Sequence, residues 1–162
     1  MWCPDVTVNL SLVAVGRRMP DWVETGVQEY RKRLNRDLKL QVREVNMAQR
    51  GKNPDIERAR RQEADALLAA VPEGDTIVAL EVTGKRLSTP ALAKKLQQWQ
   101  MDGVSVSLLV GGPDGLHQDC LQVASEQWSL SDLTLPHPLV RVLLAEQIYR
   151  AWSINAGHPY HR

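Results

Sequence analysis

A strand-like run, Ser105 to Val110, ends directly in Gly111-Gly112-Pro113-Asp114-Gly115. A glycine-rich turn at the carboxyl end of a buried strand lets a ligand approach bare backbone. In open α/β sheets that edge is where ligands bind. The turn fits neither common phosphate motif. A GxGxxG pattern starting at Gly111 would need glycines where Pro113 and Leu116 stand, and no Gly-Lys-Ser/Thr ending follows. Asp114 also places negative charge where a phosphate would sit. A phosphate-free ligand held largely by backbone groups suits these residues. The competing reading is a tight turn whose Asp114 caps the next helix.

Further along, Leu130-Ser131-Asp132-Leu133-Thr134-Leu135 alternates apolar and polar residues before Pro136-His137-Pro138. Such a stretch can line an apolar slot while its amides meet a polar edge. It can equally hold a short strand, Leu133 to Leu135, stopped by proline. His137 between two prolines reads as structural. The chain ends in Gly157-His158-Pro159-Tyr160-His161-Arg162, and three of the four histidines lie from His137 onward. Reactive side chains are thus concentrated where most domains fray. A basic cluster, Arg50, Lys52, Arg58, Arg60 and Arg61, is diluted by Asp55 and Glu57 and reads as a solvated face or a phosphate contact. Arg150, His161 and Arg162 form a second basic group.

The elements that must carry these residues alternate along the chain. Val6 to Val15 reads as a strand closed by Gly16. Pro20 suits the first turn of a helix whose stripe is Val23, Val27, Tyr30 and Leu34. Leu38, Leu40 and Val42 alternate as a half-buried strand would. Pro54 opens a second helix through Leu67 and Leu68, ended near Pro72 and Gly74. Thr76 to Val82 is a buried-strand pattern, and Thr89-Pro90 starts a helix with Leu92, Leu96 and Trp99 inside. Residues after Gly115 form a helix, and Leu139 to Trp152 forms the last one. That last helix is apolar most of the way round, so it is buried in the core or at a subunit interface. Its Glu146 and Arg150 have the spacing of an ordinary i,i+4 ion pair. The order βαβαβαβαβα predicts one α/β domain with a mostly parallel sheet and helices on both faces.

Composition sets the outer limits. The chain has 162 residues and a formal net charge of +1, so nucleic-acid binding must rest on local clustering. Cys3 and Cys120 lie far apart without metal-ligand spacing, so no metal is expected and two reduced thiols in the cytosol are. No run reaches the ~18 apolar residues of a membrane span, and no signal peptide is visible, so a cytoplasmic protein is expected.

Taken together, GGPDG, SLSDLTLPHPLVR, AEQIYRAW and the terminal HPYHR closely resemble the large-subunit rRNA methyltransferase H family of the SPOUT superfamily. Supporting matches are LVAVG at Leu12 to Gly16, MPDWV at Met19 to Val23 and RGKN at Arg50 to Asn53. The resemblance covers nearly the whole chain, leaving about residues 1–8 as an N-terminal extension. It implies a C-terminal trefoil knot, which general topology rules would discard, and a homodimer. It implies methylation of N3 of a pseudouridine in a 23S rRNA stem-loop of the ribosome, with S-adenosylmethionine as methyl donor. Carried over residue by residue, Leu80, Gly111 and Leu130, Ser131, Asp132, Leu133, Thr134 and Leu135 would hold that cofactor. Tyr160, His161 and Arg162 would stand near the target base as catalytic residues, and Arg50, Lys52 and Arg150 would meet RNA. The rivals are a SPOUT enzyme acting on another rRNA or tRNA nucleotide, and a non-catalytic ribosome-binding protein.

Overall fold

The computed structural model describes residues 7–34, 38–53 and 55–162. Among these, five strands form one all-parallel sheet in the order β2-β1-β4-β3-β5. The strands are β1 (Val8–Val15), β2 (Leu38–Val45), β3 (Thr76–Arg86), β4 (Val106–Val110) and β5 (Glu126–Ser129). Five helices alternate with them: α1 (Asp21–Arg31), α2 (Ile56–Ala70), α3 (Thr89–Asp102), α4 (Gln118–Val123) and α5 (His137–Ala156). A short 3-10 turn, Pro159–His161, closes the chain.

Strand periodicity divides the core between two faces. Leu10, Leu12 and Ala14 of β1 point toward α1, α3 and α5, together with Leu108 of β4 and Val78 of β3. Val13 and Val15 point the other way, toward Ala64 and Leu67 of α2 and Cys120 of α4. A sheet buried on both faces needs near-continuous apolar strands, and all of β4 is buried. The expected three-layer α/β architecture is therefore observed.

Local chemistry fixes several boundaries. Asp55 caps α2 by accepting the Arg58 amide at 3.0 Å. Ser88, one residue before the expected Thr89, caps α3 through the Ala91 amide at 3.2 Å. On α3 the fully buried positions are Ala93 and Leu96, while Leu92 and Trp99 pack partly exposed at the margin. Leu34 packs against the core from beyond the end of α1. β3 runs past Val82 to Arg86, because its second half pairs with β5 after a register shift between Leu80 and Lys85. Val6, Pro54, Cys3 and most of the expected N-terminal extension lie outside the described residues.

One element differs from expectation. Leu133 to Leu135 is not a strand: the last strand is Glu126–Ser129, and residues 130–136 form the loop leading into α5. The edge of β3 is already occupied by Trp128 and Ser129, so the alternating leucines have no ladder to join, and Leu133 is 73% exposed. The last helix is in turn longer than its apolar run, beginning at His137 and ending at Gly157, which takes a left-handed φ of 71°. It lies between α1 and α3 on the sheet, which accounts for its all-round apolar character within one chain. Among the described residues no helix is long and apolar enough to cross a membrane, and no cluster of His, Cys, Asp and Glu could hold a metal ion. Cys120 is fully buried and its thiol is pushed up to about 11, chiefly by burial, which makes it a poor nucleophile.

Candidate functional site

The middle of β3 and the carboxyl ends of β4 and β5 surround a cleft of about 450 Å³, a volume within the roughly 300–1,000 Å³ of small-molecule sites. Leu80, Glu81 and Val82 come from β3, Val110 to Pro113 and Gly115 from the β4 exit, and Trp128 and Ser129 from β5. The loop contributes Leu130, Ser131, Leu133, Thr134, Leu135 and Pro136, and α5 contributes His137 and Val140. A smaller apolar cavity of about 280 Å³ between α3 and α5 shares Trp128 and Leu130 but contains no part of the glycine turn.

The glycine turn is folded tightly on itself. Gly115 donates its amide to Gly112 at 3.1 Å. A Cβ on Gly111 would stand 2.6 Å from the carbonyl carbon of Gly115 and 2.8 Å from the Leu116 nitrogen, so no larger residue fits. Behind the turn is a buried ion network. Glu63 of α2, 2% exposed, accepts from the Ala48 amide at 3.1 Å and from Arg50 at 3.0 and 3.2 Å. Arg50 also donates to Asp114 at 2.8 Å and to the Ala48 carbonyl at 2.8 Å. Glu63 first, and then Asp114, raise the Arg50 guanidinium above its ordinary value. Arg50 therefore ties α2, the β2–α2 loop and the glycine turn together. Within the chain its guanidinium is paired with both carboxylates.

Asp114 does not cap the next helix, because that place is taken by His117. The His117 Nδ1 accepts from the Asp119 amide at 3.1 Å, and its Nε2 lies 2.6 Å from Glu57 Oε1. Asp114 is occupied by Arg50 instead.

A second buried guanidinium supports the other side of the cleft. Arg141 of α5, 2% exposed, donates to the carbonyls of Val15 at 3.2 Å and Gly16 at 2.8 Å, and pairs with Glu44. It sits one helical turn from His137. Burial first, and then the Arg141 charge, hold the His137 imidazole below the usual histidine range. His137 thus lines the cleft as a neutral side chain whose buried Nδ1 has no hydrogen-bond partner among the described residues. Sequence reasoning gave neither residue a role. The available signal for Arg141 was a charge within the apolar run Leu139 to Leu144, which must be paired when buried.

The terminal residues fold back onto α5. The Tyr160 hydroxyl donates to Glu146 at 3.2 Å, and its ring lies 4.5 Å from that of Tyr149. Arg150 pairs with Glu146 at 2.6 Å and lies 5.1 Å over the Tyr160 ring. The Glu146–Arg150 pair is thus more than surface decoration: it seats the tail. Burial, then Tyr30 and Glu146, hold the Tyr160 phenol above its usual range, so it stays protonated. His161 is partly exposed with its Nδ1 2.6 Å from the His158 carbonyl, and Arg162 is exposed. His137 and Glu146 are nine residues apart on α5, about 14 Å at 1.5 Å per residue. Within one chain, the tail and the cleft are therefore separate.

Of the eight expected cofactor residues, Leu80, Gly111, Leu130, Ser131, Leu133, Thr134 and Leu135 line one cleft. Asp132 does not; it is exposed and pairs with Arg86 at 2.7 Å across the loop. Lys52 is exposed on the β2–α2 loop.

A three-layer α/β fold with a cleft at one edge of its parallel sheet is the setting in which the chain matches the family described as predicted SPOUT methyltransferase, over residues 8–161. The chain belongs to that family. It is 56% identical, over 155 residues, to the ribosomal RNA large subunit methyltransferase H of Marinomonas sp. (strain MWYL1), a match covering 96% of this chain and all of the relative.

Proposed function

We propose that the protein methylates N3 of a pseudouridine in the 23S rRNA of the large ribosomal subunit, using S-adenosylmethionine. The observation that carries this reading is the convergence of Leu80, Gly111 and the 130–135 loop on one cleft. The cleft's chemistry fits the cofactor. Leu80, Leu130 and Leu135 offer apolar walls for an adenine ring, and the bare Gly111 backbone offers hydrogen bonds. The Glu81 carboxylate on the wall suits a cationic ligand and opposes a phosphate. S-adenosylmethionine supplies a methyl group made electrophilic by its sulfonium.

The protein's own part is to orient the base and deal with its proton, since N3 of pseudouridine must lose hydrogen for methylation to proceed. Alignment of nucleophile and methyl supplies much of the acceleration in such displacements. His161 is suited to take the proton. When neutral it donates Nδ1–H to the His158 carbonyl, which leaves the Nε2 lone pair as acceptor. Arg162, exposed beside it, can stabilise the developing anion. Arg150 is already engaged by Glu146 and Tyr160, so its role is to hold the tail.

Because the tail stands about 14 Å or more from its own cleft, we read the working form as a homodimer in which a second copy supplies Tyr160, His161 and Arg162. Family membership carries the further expectation of the trefoil knot. The cytoplasm, where ribosomes are made, is the fitting location.

The test is to incubate the protein with radiolabelled S-adenosylmethionine and large subunits from a strain lacking the homologous gene, and to map the label. Label at N3 of a 23S rRNA pseudouridine is expected. Label on another nucleotide or on tRNA would replace the substrate. Cofactor binding without label on any RNA would support a non-catalytic ribosome-binding role.

A further inference from the structure

We infer that the Arg17–Arg18 turn is a preformed clamp for an RNA phosphate at the mouth of the cleft. The inference rests on the rRNA methyltransferase reading. It starts from the pairing of Arg50 and Arg150 with carboxylates, which turns attention to exposed arginines that no carboxylate holds.

Arg18 has φ of 59°, the one non-glycine residue with positive φ among the described residues. A long side chain in the left-handed region is strained, and such strain persists only where the surroundings over-determine it, characteristically at functional sites. Here the surroundings do so. The Gly16 amide donates to the Val45 carbonyl at 2.8 Å, and Arg141 holds the carbonyls of Val15 and Gly16 from beneath. Arg17 donates its Nε to Asn46 at 2.7 Å, a neutral partner that orients the guanidinium without cancelling its charge. Arg18 is exposed and has no hydrogen bond or ion pair among the described residues. Nothing in the chain therefore rewards the strain at Arg18.

Placement makes the turn useful. β1 lies beside β4 in the sheet, about 4.8 Å away, so the turn leaving β1 borders the turn leaving β4 that lines the cleft. The idealised Cβ of Gly16 would lie 3.7 Å from the His137 ring, itself part of the cleft wall. A nucleotide whose base enters the cleft would have its backbone passing this corner. Two guanidiniums, both always charged and both fork-shaped, suit phosphate oxygens there.

The measurement is methylation of large subunits lacking the modification, with Arg18→Gly, Arg18→Lys and Arg17→Ala variants, at several salt concentrations. Arg18→Gly relieves the strain, so its Tm should not fall, and its affinity for S-adenosylmethionine should be unchanged. Its KM for subunits should rise about five- to tenfold, and the salt dependence of binding should weaken by about one phosphate contact. Arg18→Lys should recover part of the affinity. An unchanged KM in Arg18→Gly, with label still transferred, would overturn the clamp alone. Absence of label with the native protein would instead overturn the methyltransferase reading.

Discussion

Gly111→Ala is expected to weaken S-adenosylmethionine binding by about 100-fold, a loss of about 3 kcal/mol at about 1.4 kcal/mol per tenfold. The reason is space. The added Cβ would meet the Gly115 carbonyl carbon at 2.6 Å and the Leu116 nitrogen at 2.8 Å, and both are backbone atoms that cannot swing aside. The turn must open, and its opening is resisted on the far side, where Arg50 grips Asp114 at 2.8 Å and Glu63 at 3.0 Å. The displaced backbone therefore moves toward the cleft. Core packing of β4 lies behind the turn and should survive, so calorimetric titration with S-adenosylmethionine would separate lost binding from lost fold. Binding within a few-fold of the native protein would show that the Gly111 backbone is not a cofactor contact.

Arg141→Met should be the most destabilising single change in the site region, by about 3 kcal/mol or more, the range for removing one partner of a buried ion pair. For a domain of this size that corresponds to a Tm lower by about 6–12 °C. Arg141 reaches Glu44 and the carbonyls of Val15 and Gly16 at once. Methionine fills the volume but leaves those two acceptors and the carboxylate without their donor. Arg141→Lys keeps the charge but lacks the fork, so it should recover only part of the loss. Thermal unfolding of the three proteins checks this. A Met variant as stable as the native protein would mean that the Arg141 clamp contributes little net stability, consistent with its unpartnered Nε.

What the sequence made legible was what depends on local pattern. The βαβ alternation and the glycine turn after a buried strand come from short-range periodicity. Seven of the eight residues expected at the cofactor line one cleft. What stayed hidden depended on partners far away in the chain. Arg50 and Asp114 are 64 positions apart, and Arg141 and Glu44 are 97 apart, so nothing local distinguishes either arginine from a solvated one. The leucines at 130, 133 and 135 misled for a related reason. Their alternation is that of a strand, but β5 already occupies the edge of β3, and the same alternation serves a loop with one side turned to a ligand. The tail shows a third kind of blindness. Its residue types announced chemistry, yet only the structure shows Tyr160 seated on Glu146, away from the cleft of its own chain.

That separation makes a mixed dimer the most direct measurement. Gly111→Ala protomers lack a working cleft but keep the tail, and His161→Ala protomers keep the cleft but lack the proposed proton acceptor. Each homodimer should be nearly inactive in transferring label to large subunits. Co-expressed, they should regain about a quarter of native activity, because half of randomly paired dimers are mixed and each mixed dimer joins one intact cleft to one intact tail. Activity no higher than that of the two homodimers, in mixed dimers shown to form, would contradict a site shared between copies.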